Sequence, residues 1–190
     1  LNAGGIINRI MRNRPDEQAN GFFSVASAIP SQTDALTLTV KQNLADHVTD
    51  MMPDLFYYNT GMTAGKIIFD NGVTPVPRTI PRNSYKITTT TSTLSTFTFS
   101  DPSGTNYEFE PGETATATIP ATGPVTYIAS WYLARIVSSD KQDTIRFNYS
   151  LNNPYSYNTS ESSGINFFYN APPGASRAQL EMNALNSSVN

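Results

Sequence analysis

The feature that most constrains the fold is a long run of strand-type sequence between Tyr85 and Leu151. Leu94 to Ser100 alternates apolar and hydroxyl residues, as a strand with one buried and one solvated face requires. Residues 101–104 read Asp-Pro-Ser-Gly, where proline and glycine suit a tight turn, so the chain should return as a hairpin. Pro111-Gly112 indicates a second turn, after which another strand begins.

The second half of this run is more apolar than the first. Residues 114–119 alternate hydroxyl and apolar side chains. Residues 120–124 have a proline at each end and predict a turn. A long central strand, covered on both sides, is predicted from Val125 to Val137. Gln142 to Leu151 closes the series. Trp131 lies inside the most apolar segment, which favours a core position over a sugar-stacking surface.

The composition agrees with a fold made of strands. Charged residues make up 14% of the 190-residue chain, and the place of the missing charges is taken by Thr, Ser and Asn, which favour pleated surfaces and turns. We therefore predict a mainly β protein, an antiparallel β-sandwich of the single jelly-roll type, over residues 31–170. The net charge of −3 excludes a globally basic nucleic-acid coat, and the absence of cysteine excludes disulfides and thiolate metal sites.

The N-terminal residues differ from the rest and predict an arm and connector over residues 1–30. Ile6, Ile7, Ile10 and Met11 have a spacing that puts an apolar stripe on one side of a short helix, and Pro15 ends it. The residues that would form this helical or extended assembly arm are Ile6, Ile7, Arg9, Ile10, Arg12 and Arg14. Two interpretations stay open, because the segment could dock on a partner subunit, membrane or nucleic acid, or could pack against its own domain.

Two other regions have weaker patterns. Residues 31–52 predict a strand followed by a short helix from Gln42 to Met51. Residues 171–190 have few apolar side chains and predict a C-terminal arm that neighbouring subunits would order. Tyr155 and Tyr157, in an Asn- and Ser-rich stretch, are candidates for an exposed binding loop.

No residue pattern indicates catalysis. His47, the single histidine, lies beside Asp46 and Asp50, but no nucleophile signature accompanies it, so a surface histidine is the better interpretation. Glu108, Glu110 and Glu113 could form a carboxylate pair or a calcium site, yet a solvated strand face explains them as well. We predict that the protein is not an enzyme and binds no cofactor or metal.

The sequence thus supports two classes of function. The first is a structural subunit of a protein shell, a virion capsid protein, that assembles with other shell subunits and could contact nucleic acid only through the Arg9 to Arg14 arm. The alternative is a secreted, extracellular β-sandwich that binds glycans, receptors or membrane surfaces. No run of about 18 apolar residues predicts a transmembrane segment.

Two further features bear on processing. The start at Leu1 rather than Met is interpreted as a processed product or a fragment. Glycosylation sequons occur at Asn148, Asn158 and Asn186, and they matter only on a eukaryotic secretory route.

Overall fold

The structure, a computed structural model, describes residues 4–25, 38–46, 48–70, 74–119 and 122–150. Within these ranges it contains two short helices, α1 (Phe22–Val25) and α2 (Leu38–Ala45), and nine strands. The strands are β1 (Ile6–Ile10), β2 (Leu55–Asn59), β3 (Ala64–Phe69), β4 (Pro77–Ile80), β5 (Lys86–Thr89), β6 (Phe97–Ser100), β7 (Asn106–Ile119), β8 (Gly123–Val137) and β9 (Thr144–Arg146). The chain divides into two compact units, Leu1–Asn148 and Tyr149–Asn190, and all nine strands belong to the first.

Eight of the strands form one antiparallel, nearly closed sheet in the order β4-β3-β2-β1-β8-β7-β6-β5. Each of the two halves, β1 to β4 and β5 to β8, is a meander in which every strand pairs with its neighbour in the chain. The halves are joined by pairing between β1 and β8, where Ile7 lies opposite Trp131. Strands β4 and β5 approach each other at the remaining gap, and β9 pairs with β8 beyond the end of β1.

This order confirms a mainly antiparallel β fold, but a single jelly-roll sandwich is not confirmed. A jelly roll contains Greek keys, in which a strand returns by a long connection to lie beside a strand distant in the chain. Here each strand within a half pairs with its neighbour in the chain. Five of the six connections are short, which favours such pairing, whereas the connection from β1 to β2 is long and contains α1 and α2. Alternating apolar residues are required by both arrangements, so the pattern alone did not distinguish them.

The inner face of the sheet is packed with large apolar side chains. Alternation is visible in β1 and β2, where buried residues occupy every second position. The buried cluster consists of Ile7, Phe56, Tyr58, Ile67, Phe69, Leu94, Phe97, Phe99, Tyr107, Phe109, Trp131 and Leu133. The core position predicted for Trp131 is confirmed: the residue is fully buried, and its indole N–H donates to the carbonyl of Leu94 at 2.8 Å.

The longest hairpin differs from the prediction at one place. The turn expected at Pro111-Gly112 does not form, because β7 continues from Asn106 to Ile119 with register shifts on either side of Glu113. A bulge accommodates a proline, which has no N–H to donate to the ladder. At Gly112 a Cβ would lie 2.6 Å from the Tyr132 ring, so the close approach of that ring requires glycine. The predicted turn at residues 101–104 is confirmed.

Within the arm predicted for residues 1–30, the structure contradicts a separate helix or extended arm at residues 6–10. Residues 6–10 form β1, which lies inside the sheet and pairs with β2 on one side and β8 on the other. Three β-branched isoleucines favour a strand over the predicted helix, and two pairing partners hold it in place. Of the two interpretations, packing against the chain's own domain is therefore the correct one, although as a strand.

The predicted boundaries of the remaining helices and strands agree only in part with the structure. Residues 38–40, predicted as strand, are the start of α2, which ends at Ala45 rather than at Met51. The strand predicted from Gln142 to Leu151 is reduced to the three exposed residues of β9. The C-terminal arm at 171–190 and the domain boundary at 170 lie outside the described residues. No helix in the described ranges is long and apolar enough to span a membrane.

Candidate functional site

A buried group of charged residues, here called the charge cluster, lies at one end of the sheet around Arg9. The Arg9 guanidinium donates through Nε to Asp54 Oδ2 at 2.7 Å, and through Nη1 and Nη2 to the two carboxylate oxygens of Glu17 at 3.0 and 2.7 Å. Its carbon lies 5.4 Å from the ring centre of Phe56 and 5.3 Å from that of Tyr127. Two carboxylates and two aromatic faces thus compensate for the removal of this cation from water.

Asp16 and Asp54 are the buried acids of the charge cluster, and they are bonded to each other's backbone. The Asp54 N–H donates to both oxygens of Asp16 at 3.0 and 3.1 Å, and the Asp16 N–H donates to Asp54 Oδ2 at 3.3 Å. Burial, reinforced by the neighbouring Asp54 charge, raises the pKa of Asp16 to about 9. Burial also raises the pKa of Asp54, but the charge of Arg9 opposes the rise. Burial thus favours the protonated form of Asp16 more strongly, whereas the hydrogen bonds and charge of Arg9 favour the ionised form of Asp54.

Arg14 and Asp50 extend the charge cluster towards the β7–β8 hairpin. Asp50 accepts hydrogen bonds from the backbone N–H groups of Arg14 at 3.0 Å and Met52 at 2.8 Å. The Arg14 side chain donates from Nη2 to Thr122 Oγ1 at 3.0 Å, and its buried Nε has no hydrogen-bond partner among the described residues. These contacts join the segment after β1, the segment before β2 and the hairpin tip.

The charge cluster does not have the access that catalysis needs. A carboxyl group with a strongly raised pKa is a common property of general acids and bases. Asp16 and the side chains of Arg9 and Asp54 are nevertheless fully buried, so a substrate cannot reach them without local opening. We conclude that the charge cluster is structural.

The outer surface of the sheet offers a different kind of site. On the outside of β1 to β4, Ile10 is 50% exposed, Tyr57 36% and Ile80 48%, and Val76, immediately before β4, is also exposed. The register places Tyr57 opposite Lys66 and Lys66 opposite Ile80, so the three side chains form one cross-strand row. We call Ile10, Tyr57, Val76 and Ile80 the apolar strip; Lys66 lies between Tyr57 and Ile80, and Ile10 lies opposite Leu55, outside that row.

Exposed cations continue from the apolar strip onto β5. They are Lys66, Arg78, Arg82 and Lys86, which we call the basic face. The Lys66 ammonium lies 5.1 Å from the ring centre of Tyr57, and Arg78 forms an exposed ion pair of 3.0 Å with Asp70. The apolar strip and the basic face together combine apolar contact area with positive charge.

Carboxylates lie on a different strand, β7. They are Glu108, Glu110 and Glu113, which we call the acidic face. Glu108 pairs with Arg135 across the β7–β8 ladder. Glu113 accepts hydrogen bonds from Ser130 Oγ at 3.0 Å and from the Tyr132 hydroxyl at 2.7 Å. The solvated strand face expected for these residues agrees with this arrangement.

The residues predicted to form an assembly arm are separated by the structure. Ile7, Arg9 and Arg14 are buried, whereas Ile10 and Arg12 are exposed and Ile6 is partly buried. These residues therefore do not form a free basic arm, because two of the three arginines, Arg9 and Arg14, are held inside the domain. The charge cluster was missed, although Asp16 and Glu17 follow these arginines closely and could have suggested internal pairing.

Other predicted residues lie partly beyond what the structure describes. His47, Tyr155 and Tyr157 lie outside the described residues, and so do the sequons at Asn158 and Asn186; Asn148 is described and exposed. In the described part of the chain, no group of three or more His, Cys, Asp or Glu side chains could hold a metal ion.

Comparison of the chain with protein-family models, with curated proteins and with solved structures gave no match.

Proposed function

We propose that this chain is a structural subunit of a protein shell, of the kind that forms a virion, and that it associates through the outside of its sheet. The supporting observation is the apolar strip of Ile10, Tyr57, Val76 and Ile80. Single exposed apolar residues are ordinary, but a group on one face of adjacent strands is typical of an interaction surface.

The interior of the sheet favours the same class of function. Its largest fully buried side chains are Trp131 and five phenylalanines, which pack at ring-centre distances such as 5.1 Å between Phe97 and Trp131 and 5.4 Å between Phe99 and Phe109. Sheets that bind small ligands inside keep part of that volume open. Because these aromatic side chains occupy the interior here, we assign function to the outer surface.

The test is the mass of the full chain in solution and its dependence on concentration. Sedimentation velocity and electron microscopy should show species much larger than the 20.8 kDa monomer, with a uniform size or shape. A monomer at every concentration and ionic strength would overturn the proposal.

A matched pair of substitutions tests whether the apolar strip carries the association. Ile80→Thr should shift the assembly to higher protein concentration, because it removes apolar area from the strip and keeps a β-branched side chain. Ile145→Thr is the control, since Ile145 is 60% exposed on β9, away from the strip. Equal effects of the two substitutions would contradict a role specific to this face.

A further inference from the structure

The charges of this chain are segregated along the sequence, and the fold places them on two separate faces. Residues 71–100 contain three cations and no acid, and residues 87–134 contain four acids and no Lys or Arg. The first stretch supplies Arg78, Arg82 and Lys86 of the basic face. The second supplies the whole acidic face on β7.

The strand order separates the two faces around the nearly closed sheet, most widely at Lys66. Three strands separate β3, which carries Lys66, from β7 in either direction: β2, β1 and β8 one way, and β4, β5 and β6 the other. The Lys66 part of the basic face is therefore opposite the acidic face, whereas Lys86 on β5 is separated from β7 by β6 alone. Except for Arg82, which lies between β4 and β5, the residues of both faces are on strands, and β7 has register shifts beside Glu113.

From this arrangement we propose that the partner of the basic face is the acidic face of a second copy of the same chain. The inference rests on the proposed shell function and specifies its contact. Basic-to-acidic docking brings Lys66, Arg82 and Lys86 of one copy towards Glu110 and Glu113 of the next, and the apolar strip beside the cations supplies the area removed from water. Docking of two basic faces would bring like charges together, which disfavours a symmetric dimer through this surface.

The geometry of this contact determines the kind of assembly. A contact between two different surfaces is heterologous, and it generates rings when the rotation between copies closes and open filaments when it does not. Because the two faces are different surfaces on different strands, each subunit can hold one neighbour on each face at the same time. The contact thus extends beyond a dimer, as a shell or sheet of subunits requires.

The side chains on the acidic side fit a solvated contact. Thr114, Thr116 and Thr118 alternate along the exposed face of β7 beyond Glu113, and Thr116 hydrogen-bonds across the hairpin to Thr126 at 2.9 Å. Hydroxyl groups in such a row can exchange water for partner side chains at little cost. The contact would therefore combine steering by charge, apolar area from one copy and hydroxyl groups from the other.

Charge reversal on each face tests the pairing. The basic-face variant is Arg82→Glu/Lys86→Glu and the acidic-face variant is Glu110→Lys/Glu113→Lys, both measured as full chains by sedimentation velocity at low ionic strength. Each variant alone should associate at least roughly tenfold more weakly than the unchanged chain, because like charges then meet at the contact. Raising the salt concentration should weaken association of the unchanged chain.

The decisive measurement mixes the two variants. In the mixture, the reversed basic face of one variant meets the reversed acidic face of the other with opposite charges, and the two unreversed faces also match. Association should therefore recover in the mixture, although each variant alone associates only weakly. Lys41→Glu, on the exposed surface of α2, makes a charge change of the same kind outside both faces and should leave association unchanged.

The outcomes separate this inference from the shell function. If the unchanged chain assembles but the reversals have no more effect than Lys41→Glu, the charge pairing is wrong and the shell function stands. If both variants are impaired and the mixture does not recover, these two faces are not partners. Because Glu113 bonds to Ser130 and Tyr132, Glu110→Lys alone serves as a second variant, checked by thermal unfolding, should the double variant fold poorly.

Discussion

The aromatic core and the charge cluster are both buried, but they are stabilised in different ways. In the core, Trp131 and the phenylalanines gain free energy roughly in proportion to the apolar area removed from water. In the charge cluster, Arg9, Asp54 and Glu17 lose their hydration on folding. Hydrogen bonds and opposite charges within the cluster compensate for that loss. The core should therefore tolerate changes that preserve volume, whereas the cluster should tolerate only changes that preserve pairing.

The largest effect is expected when both regions lose residues together. Deletion of residues 1–14 removes Ile7 from the core, Arg9 and Arg14 from the charge cluster, and the strand that pairs with both β2 and β8. The truncated chain should be unfolded at 25 °C. Circular dichroism and proteolysis would detect this, and a truncated chain with a cooperative unfolding transition near that of the full chain would contradict the assigned role of β1.

Within the core, Trp131→Ala should lower the free energy of unfolding by about 3–5 kcal/mol, as large core truncations do. The substitution leaves a cavity beside Phe56 and Phe97 and removes the donor to the Leu94 carbonyl. Urea unfolding measures the change, and the blue-shifted emission expected of the buried indole provides an independent check. Tyr57→Ala, on the outer face, is the control and should cost far less.

The prediction of the core from the sequence succeeded where burial and apolar character coincide. Phe97, Phe99, Phe109 and Trp131 occupy the positions that alternation indicates, so β6, the start of β7 and β8 could be recognised. Alternation does not specify which strands pair, and the meander order was therefore not foreseen.

The prediction failed where a charged residue is buried. The inward-facing residues of β1 are Ile7 and Arg9, so the binary pattern of a strand is interrupted by a cation, and the isoleucines resembled a helical stripe instead. Only the tertiary arrangement brings Asp54 and Glu17 to that cation. The candidate surface was missed for a related reason, since the alignment of Tyr57, Lys66 and Ile80 depends on the register between three strands.

Within the charge cluster, Arg9→Met should lower the free energy of unfolding by about 3 kcal/mol. The loss arises because Asp54 remains buried without its counter-ion, rather than from a reduced side-chain volume. Adding Asp54→Asn removes the orphaned charge and should recover part of the stability in a double-mutant cycle measured by urea unfolding. An additive result, with no recovery, would show that the two side chains do not act as a pair.

Of these substitutions, Asp16→Asn should change the free energy of unfolding least at acidic pH. Its specific effect should be on how that free energy depends on pH. Burial raises the pKa of Asp16 above its value of about 4 in an unfolded chain. Between the unfolded and folded pKa values, up to about 9, the folded state holds a proton that the unfolded state has released. The free energy of unfolding should therefore fall as the pH rises through this window, by at most about 1.4 kcal/mol per pH unit for one group.

Asparagine can accept the same hydrogen bond from the Asp54 N–H and does not titrate, so the variant should differ little from the unchanged chain near pH 5 and be more stable near pH 8. Urea unfolding of both proteins at a series of pH values measures the two slopes. Parallel slopes would show that another group causes the pH dependence, and a stability that rises with pH over this window would contradict the protonated state assigned to Asp16.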